Sequence, residues 1–139
     1  MSNAHALNVE DAKRYILGGR GMATLIGQEH RYTFKFGTPR DKKGEVIFVN
    51  VLNGSNNLSD YVYIGYIRDG QFIAGKKGRP DAPSYKAFAW YWTKLLNDAE
   101  AAKKATFVHE GVCACCGRAL TVPESIERGI GPECAKRHG

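Results

Sequence analysis

The stretch YVYIGYIRDGQFIAG, residues 61–75, decides how this chain folds. Two runs of aromatic and β-branched residues flank Arg68, Asp69 and Gly70, and Gly70 can take the positive φ that a tight hairpin turn needs. The preceding run EVIFVNVL, residues 45–52, is almost continuously apolar, which is typical of a strand at the centre of a sheet. Strands joined by short turns are most simply antiparallel, so these residues predict a β-meander.

Two more strand signals lie upstream, at residues 22–28 and 31–36. In the second of them Tyr32, Phe34 and Phe36 alternate with polar residues, which is the period-two pattern of a half-buried strand. The sequence therefore predicts about five strands in meander order: MATLIGQ, RYTFKF, EVIFVNVL, YVYIGYI and QFIAG.

Helical periodicity is found at both ends of this strand-rich region. Residues 8–19 predict a short helix that is capped by Asn8. Residues 84–96 predict a longer helix whose aromatic stripe covers the sheet, while Trp90 lies off that stripe and is expected to be exposed. The predicted fold class is α+β, an antiparallel sheet of about five strands covered by a helix, with a small C-terminal zinc-finger-like module.

The predicted domain boundaries follow from these patterns. Residues 1–4, MSNA, resemble a cloning scar. Residues 5–97 form the α+β domain, and residues 98–106 are a linker or helix tail. Residues 107–139 are too few for a hydrophobic core of their own, and a metal ion is a usual stabiliser of segments below about 40 residues.

All four cysteines of the chain lie in that last segment. Cys113 and Cys116 form a C-x2-C pair followed directly by Gly117, which is the pattern of a zinc knuckle. Cys134 follows Pro132, which can start a short helix whose positive end favours a thiolate. These three cysteines are the predicted thiolate ligands. Unmetallated thiols, or one disulfide with two spare cysteines, are the alternative, which a reducing compartment disfavours.

The fourth ligand is open between two histidines. His109 lies four residues before Cys113 and is preferred, whereas His138 lies four residues after Cys134 and is the alternative. Cys115 is adjacent to Cys116, so the two side chains cannot easily converge on one tetrahedral ion, and its reactivity is open. Three thiolates and one imidazole suit Zn in a closed, structural site.

The segment HEGVCACCGRALTVPESIERGIGPECAKR resembles the signature of a family of small phage, prophage and plasmid proteins, domain of unknown function 6011. The matching residues are Cys113, Cys116, Gly117, Arg118, Leu120, Thr121, Pro123, Ser125, Ile126, Gly129, Ile130, Gly131, Pro132 and Cys134. The resemblance implies a zinc-finger-like module and an origin in a mobile element, but it implies no reaction. Cys115 departs from the pattern, which has a residue other than cysteine there.

Basic and aromatic residues make nucleic acid the first partner to consider. The net charge is +6, and the candidate phosphate-binding residues are Arg40, Lys42, Lys43, Lys76, Lys77, Arg79 and Arg118. A sheet face lined by Tyr61, Tyr63 and Tyr66 would stack bases. Strict alternation, however, places Tyr66 on the opposite face from the other two.

No enzyme motif supports a catalytic function. The sequence has no phosphate-binding Gly-rich loop, no G-x-S-x-G and no H-E-x-x-H. It also shows no secretory signal and no apolar run near the ~20 residues of a membrane helix. We therefore expect a non-enzymatic, cytoplasmic zinc-binding protein of mobile-element origin that binds nucleic acid, with no small-molecule substrate. The alternative is a phage accessory factor that binds and modulates a host protein.

Overall fold

The computed structural model describes residues 6–27, 30–38, 46–52, 61–75, 82–114, 117 and 119–120. These residues form an antiparallel sheet with helices packed on one face. The strands are β1 (Ala6–Leu7), β2 (Met22–Ile26), β3 (Arg31–Gly37), β4 (Val46–Leu52), β5 (Tyr61–Arg68), β6 (Gln71–Ala74) and β7 (Thr106–His109). The helices are α1 (Val9–Leu17), α2 (Pro83–Asn97) and α3 (Ala99–Ala102). None of these helices is long and apolar enough to cross a membrane.

The strand order in the described sheet is β1-β7-β2-β3-β4-β5-β6. The predicted antiparallel meander is confirmed as β2 to β6. The strand count was too low, because β1 and β7 extend the sheet beyond β2. β1 has two residues and β7 has four, so neither is long enough to show a clear period. The sequence places residues 107–109 in the C-terminal module, whereas in the structure they pair with β2 inside the sheet.

One face of the sheet is buried beneath the helices, and we call it the inner face. On β4 it carries Ile47, Val49 and Val51, which are all buried. The predicted stripe of α2 packs there, with the Phe88 ring 5.1 Å from Phe34. Trp90 is 40% exposed, as its position off this stripe predicts. The other face, which we call the outer face, has no helix on it among the described residues.

Helix α1 lies on the inner face beside β7. Its N-cap is Asn8, as predicted, and the Asn8 Oδ1 atom accepts a hydrogen bond of 2.8 Å from the Asp11 backbone N–H. Tyr15 and Ile16 are fully buried. The Tyr15 ring lies edge-on to Phe107 of β7 at 6.1 Å, so α1 is fixed against a strand that is about 90 residues away in sequence.

An irregularity in the β4–β5 ladder changes which side chains share the outer face. Phe48 pairs with Tyr66 and Val49 with Gly65, but Asn50 pairs with Tyr63, so the register shifts at this point. One residue of β5 is thus left over, as in a β-bulge. Beyond a bulge the alternation of side chains is reversed. Tyr66 therefore lies on the same face as Tyr61 and Tyr63, and the prediction from strict alternation was wrong.

Gly65 lies next to this bulge, and there is no space for a side chain at its position. A Cβ atom there would lie 2.5 Å from the Ile73 carbonyl oxygen of β6. We expect Gly65→Ala to lower the free energy of unfolding by about 1–3 kcal/mol, because a backbone atom has to move. Urea denaturation measures this change.

Gly37→Ala is the matched control, since a Cβ atom at Gly37 has no neighbour within 4 Å. Its free energy of unfolding should be unchanged or slightly raised. Equal losses in the two variants would show that the close approach at Gly65 is not what limits the substitution.

Candidate functional site

The chain reverses direction just after β7, where the C-x2-C motif begins. Val112 and Ala119 form an isolated antiparallel bridge. The Gly117 backbone N–H donates to the Cys113 carbonyl oxygen at 2.9 Å, and Gly117 has a φ of 76°. That positive φ favours glycine, which agrees with the turn that the sequence predicts at this position. The described part of the motif is thus a tight turn, which we call the knuckle (residues 111–114, 117 and 119–120).

Two of the predicted metal ligands, His109 and Cys113, are described, and both are buried. His109 is 0% and Cys113 1% exposed. The His109 ring stacks on the Tyr15 ring at 5.6 Å. Burial raises the pKa of Tyr15 above its usual range. The hydrogen bond with the Met22 backbone lowers this pKa, and electrostatic interactions with Cys113 and Glu110 raise it further. Both candidate ligands therefore lie around one buried phenol.

The Tyr15 hydroxyl joins three parts of the chain. It accepts a hydrogen bond of 3.0 Å from the Met22 backbone N–H at the start of β2. It lies 2.9 Å from the Val112 carbonyl oxygen in the knuckle and 3.1 Å from that of Met22, and it can donate to either. Helix α1, strand β2 and the knuckle are therefore fixed relative to one another by a single buried side chain.

The knuckle also docks directly on the end of α1. The Arg20 backbone N–H donates to the Ala114 carbonyl oxygen at 2.8 Å. A Cβ atom added to Gly18 would lie 2.7 Å from that same oxygen, so only glycine permits this approach. Ala114 itself is fully buried. The described part of the C-x2-C motif is thus held against the α+β domain by the packing of Ala114 and the hydrogen bond of its carbonyl oxygen.

The geometry of His109 restricts how it could bind a metal. Its Nδ1 atom accepts a hydrogen bond of 3.0 Å from the Gly111 backbone N–H. The lone pair of Nδ1 is then in use, and a neutral ring carries its proton on Nε2. A metal would therefore bind Nδ1 in place of the Gly111 N–H, or Nε2 after that nitrogen had lost its proton. Thiolate and imidazole are both zinc ligands.

The remaining predicted ligands, Cys116, Cys134 and His138, lie outside the described residues, as does Cys115. Within the described ranges, no group of three or more His, Cys, Asp or Glu side chains is placed to hold a metal. The choice between His109 and His138 therefore stays open.

Tyr15→Phe removes the hydroxyl that joins α1, β2 and the knuckle. It leaves the Met22 N–H and the Val112 carbonyl without that buried partner, which costs about 1–3 kcal/mol. We expect the free energy of unfolding in urea to fall by that amount. Tyr91→Phe is the control, because Tyr91 is equally buried but makes no hydrogen bond through its hydroxyl in the described part of the chain. A loss as large in Tyr91→Phe would contradict the role of the Tyr15 hydroxyl.

The outer face is the second candidate site. Through the bulge, Tyr61, Tyr63 and Tyr66 line it together, and Phe48 lies opposite Tyr66 on β4. Phe48 is 37% and Tyr63 40% exposed, and their rings meet edge-to-face at 5.9 Å. Burial raises the pKa of Tyr63, and the neighbouring Tyr66 raises it further. Four aromatic rings thus form one cluster on this face.

Basic side chains surround the aromatic cluster. The register places Arg31 and Lys35 of β3 and Arg68 of β5 on the outer face, and all three are exposed. The Lys35 ammonium lies over the Tyr61 ring at 5.4 Å from its centroid. Among the strand residues of this face there is no acidic side chain, and Glu110 follows directly at the end of β7.

Phe48, Lys35 and Arg68 were not predicted from the sequence, which indicated other basic residues instead. Arg40, Lys42, Lys43, Lys76, Lys77, Arg79 and Arg118 all lie outside the described residues. Phe48 was hidden in a continuous apolar run, and only the buried positions Ile47 and Val49 on either side reveal that it points outward. Lys35 was visible as a polar residue of an alternating strand, but its neighbours depend on the register.

A small apolar cavity lies near the exposed Trp90, at one end of the β2–β3 hairpin. Its volume is about 160 Å³, and its lining residues are Leu25, Gly27, His30, Tyr32, Ala87, Trp90 and Ala105. The His30 and Tyr32 rings stack at 5.9 Å beside it. Tyr32 and Leu25 are a cross-strand pair on the inner face, so this cavity is separate from the aromatic cluster on the outer face.

Comparison with protein families bears on the C-terminal end of the chain. Residues 103–139 match the model of a family of unknown function, DUF6011. This confirms the family resemblance of the cysteine segment. The match begins before β7, so the family pattern includes the strand that carries His109 into the sheet. No curated protein and no solved structure matches the chain.

Proposed function

We propose that this protein binds single-stranded nucleic acid on the outer face of its sheet. The observation that carries the proposal is the register shift in β5, which brings Tyr61, Tyr63 and Tyr66 to one face together with Phe48. Every base has a π-face, so aromatic rings on a sheet can stack unpaired bases of any sequence. In a duplex the base faces are already stacked, which favours a single strand as the ligand.

The charges on this face agree with a phosphate backbone as partner. Arg31, Lys35 and Arg68 border the aromatic cluster, and the whole chain carries a net charge of +6. Positive charge beside a stacking surface attracts the backbone of the strand whose bases lie on the rings. A purely apolar partner would gain nothing from these side chains.

We further propose that a zinc ion stabilises the segment after β7. Cys113, Cys116 and Cys134 would supply three thiolates, and His109 through Nδ1, or His138, the fourth ligand. A closed site of this kind is structural and leaves no position for a substrate. The placement of His109 and Cys113 around the buried Tyr15 ring supports it, because imidazole and thiolate are both zinc ligands. We accordingly propose a non-enzymatic function.

Replacing one aromatic residue of the outer face tests the nucleic-acid proposal. We expect Tyr63→Ala to weaken binding of a fluorescein-labelled dT12 strand roughly 5- to 100-fold, which corresponds to one lost stacked base. Fluorescence anisotropy at low salt measures the Kd. Affinity should also fall as salt rises, because phosphate contacts release counterions.

Trp90→Ala is the matched control for that measurement. Trp90 is exposed to the same extent as Tyr63, 40%, but lies on α2 by the separate cavity. Its Kd for dT12 should be unchanged. If Tyr63→Ala and Trp90→Ala weaken binding equally, or if the intact protein does not bind dT12 at low salt, the proposal is wrong.

The zinc proposal has its own measurement. Elemental analysis of the purified protein should find about one Zn per chain, and Cys113→Ser should lose it, because three ligands rarely hold the ion in a closed site. Cys115→Ser is the control and should keep its zinc. His109→Ala and His138→Ala then identify the fourth ligand by which of them loses metal. Full folding without any bound metal would contradict the proposal.

The second candidate function is protein binding by a phage accessory factor, and the cavity beside Trp90 favours it. Its volume of about 160 Å³ and its apolar lining suit a single large side chain of a host protein. An exposed Trp at such a cavity is a frequent centre of protein interfaces. Loss of a host partner in Trp90→Ala, with dT12 binding retained, would separate this function from the first.

A further inference from the structure

Glu110 is an exception on the outer face. It follows β7 directly, it is exposed, and the register places it on the same face as the basic residues that would attract phosphate. Its backbone N–H donates to the Met22 carbonyl oxygen at 2.7 Å, which continues the β7–β2 ladder by one residue. A carboxylate here weakens the attraction of the face for a phosphate backbone. Its position therefore suggests a contact with a group other than phosphate.

A hydrogen-bonded pair of threonines orients the Glu110 side chain. The Thr24 hydroxyl donates to the Glu110 Oε1 atom, and the Thr33 hydroxyl lies 2.8 Å from that of Thr24. Thr24 is only 1% exposed, so its hydroxyl is shielded from water. The Oε2 atom of Glu110 makes no hydrogen bond with the described residues. The carboxylate is thus oriented by its protein neighbours. Oε2 is available to a ligand, and Oε1 can accept a second hydrogen bond besides the one from Thr24, because a carboxylate oxygen has two lone pairs.

The carboxylate lies beside Tyr61, at one end of the aromatic cluster. The Tyr61 hydroxyl donates to the Met22 Sδ atom at 3.2 Å, and the Met22 carbonyl binds the Glu110 N–H. Burial raises the pKa of Tyr61, and the negative charge of Glu110 adds to this effect, as expected for close neighbours. Lys35 lies over the Tyr61 ring on a long exposed side chain. A base that stacks there would displace it towards the phosphate.

The chemistry of the unpaired bases selects one of them for this position. A carboxylate only accepts hydrogen bonds. The Watson–Crick edge of guanine offers two adjacent donors, N1–H and the N2 amino group, which match its two oxygens. Adenine and cytosine place a ring nitrogen with a lone pair beside their single amino group, and thymine and uracil flank one N–H with two carbonyl oxygens. Only guanine therefore approaches Glu110 without a repulsive contact.

We propose that Glu110 makes this face selective for an unpaired guanine that stacks on Tyr61. This inference rests on the proposed binding of single strands by the outer face, and it adds a base preference to that function. Thr24 and Thr33 act as positioning residues, because they orient the carboxylate without touching the base. The other aromatic residues of the cluster stack neighbouring bases without selecting them.

A single base in an otherwise uniform strand tests the proposal. The Kd values of the whole protein for dT12 and for dT12 with one central dG are compared by fluorescence anisotropy. We expect the dG strand to bind roughly 5- to 100-fold more tightly, the range for a bidentate base contact. A strand with inosine in place of dG lacks the N2 amino group and should lie between the two.

The Glu110→Gln variant separates base selection from simple attraction. It removes a negative charge, so it should bind dT12 more tightly than the unaltered protein while losing most of its preference for dG. Glu100→Gln is the matched control, because Glu100 is an exposed carboxylate on α3 with a salt bridge to Lys103. It makes the same change in net charge and should keep the full dG preference.

The possible negative results distinguish the role of Glu110 from the binding face as a whole. Equal binding of dT12 and the dG strand, equal binding of the dG and inosine strands, or an unchanged preference in Glu110→Gln would each overturn the role of Glu110 and leave the binding face intact. No binding of either strand would overturn both proposals. The inosine comparison uses the unaltered protein, so it decides the matter even if Glu110→Gln fails to fold.

Discussion

The pairing of β7 with β2 is the constraint on which both candidate sites depend. It inserts four residues from the far end of the chain into the sheet, between β1 and β2. Consecutive side chains of a strand point to opposite faces. His109 is therefore buried on the inner face against Tyr15, and Glu110 stands on the outer face beside Tyr61. The last residue of β7 thus supplies a candidate metal ligand to one face, and the residue after it supplies a candidate base contact to the other.

This pairing also explains why the cysteine segment is not an independent unit where the structure describes it. The knuckle begins two residues after β7 and meets α1 through the Tyr15 hydroxyl and the Ala114 carbonyl oxygen. A metal bound there would strengthen contacts that already exist between the knuckle and the α+β domain. Because His109 and Glu110 are adjacent in the chain, a change in the backbone at one of them would also move the other.

Much of the fold could be predicted from the sequence, since it depends on local signals. The meander of β2 to β6 follows from alternating and apolar runs with short turns. Both main helices follow from their apolar stripes, and α1 also from its Asn8 cap. The buried stripe of α2 and the exposure of Trp90 were predicted for the same reason. β1 and β7 were missed because two and four residues are too few to show a period, and their partners are far away in sequence.

The candidate sites, like the fold, depend partly on local sequence and partly on strand register. The three candidate thiolate ligands and the two candidate histidines follow from the sequence, because residue type and spacing suffice to predict metal ligands, and they stay predictions. The sequence by itself also determined that aromatic residues alternate along β5. Only the tertiary structure decided that Tyr66 joins Tyr61 and Tyr63, since one extra residue in a ladder reverses the alternation beyond it. The same is true of Glu110, because its neighbours Thr24 and Tyr61 are brought to it by strand register, which no local pattern specifies.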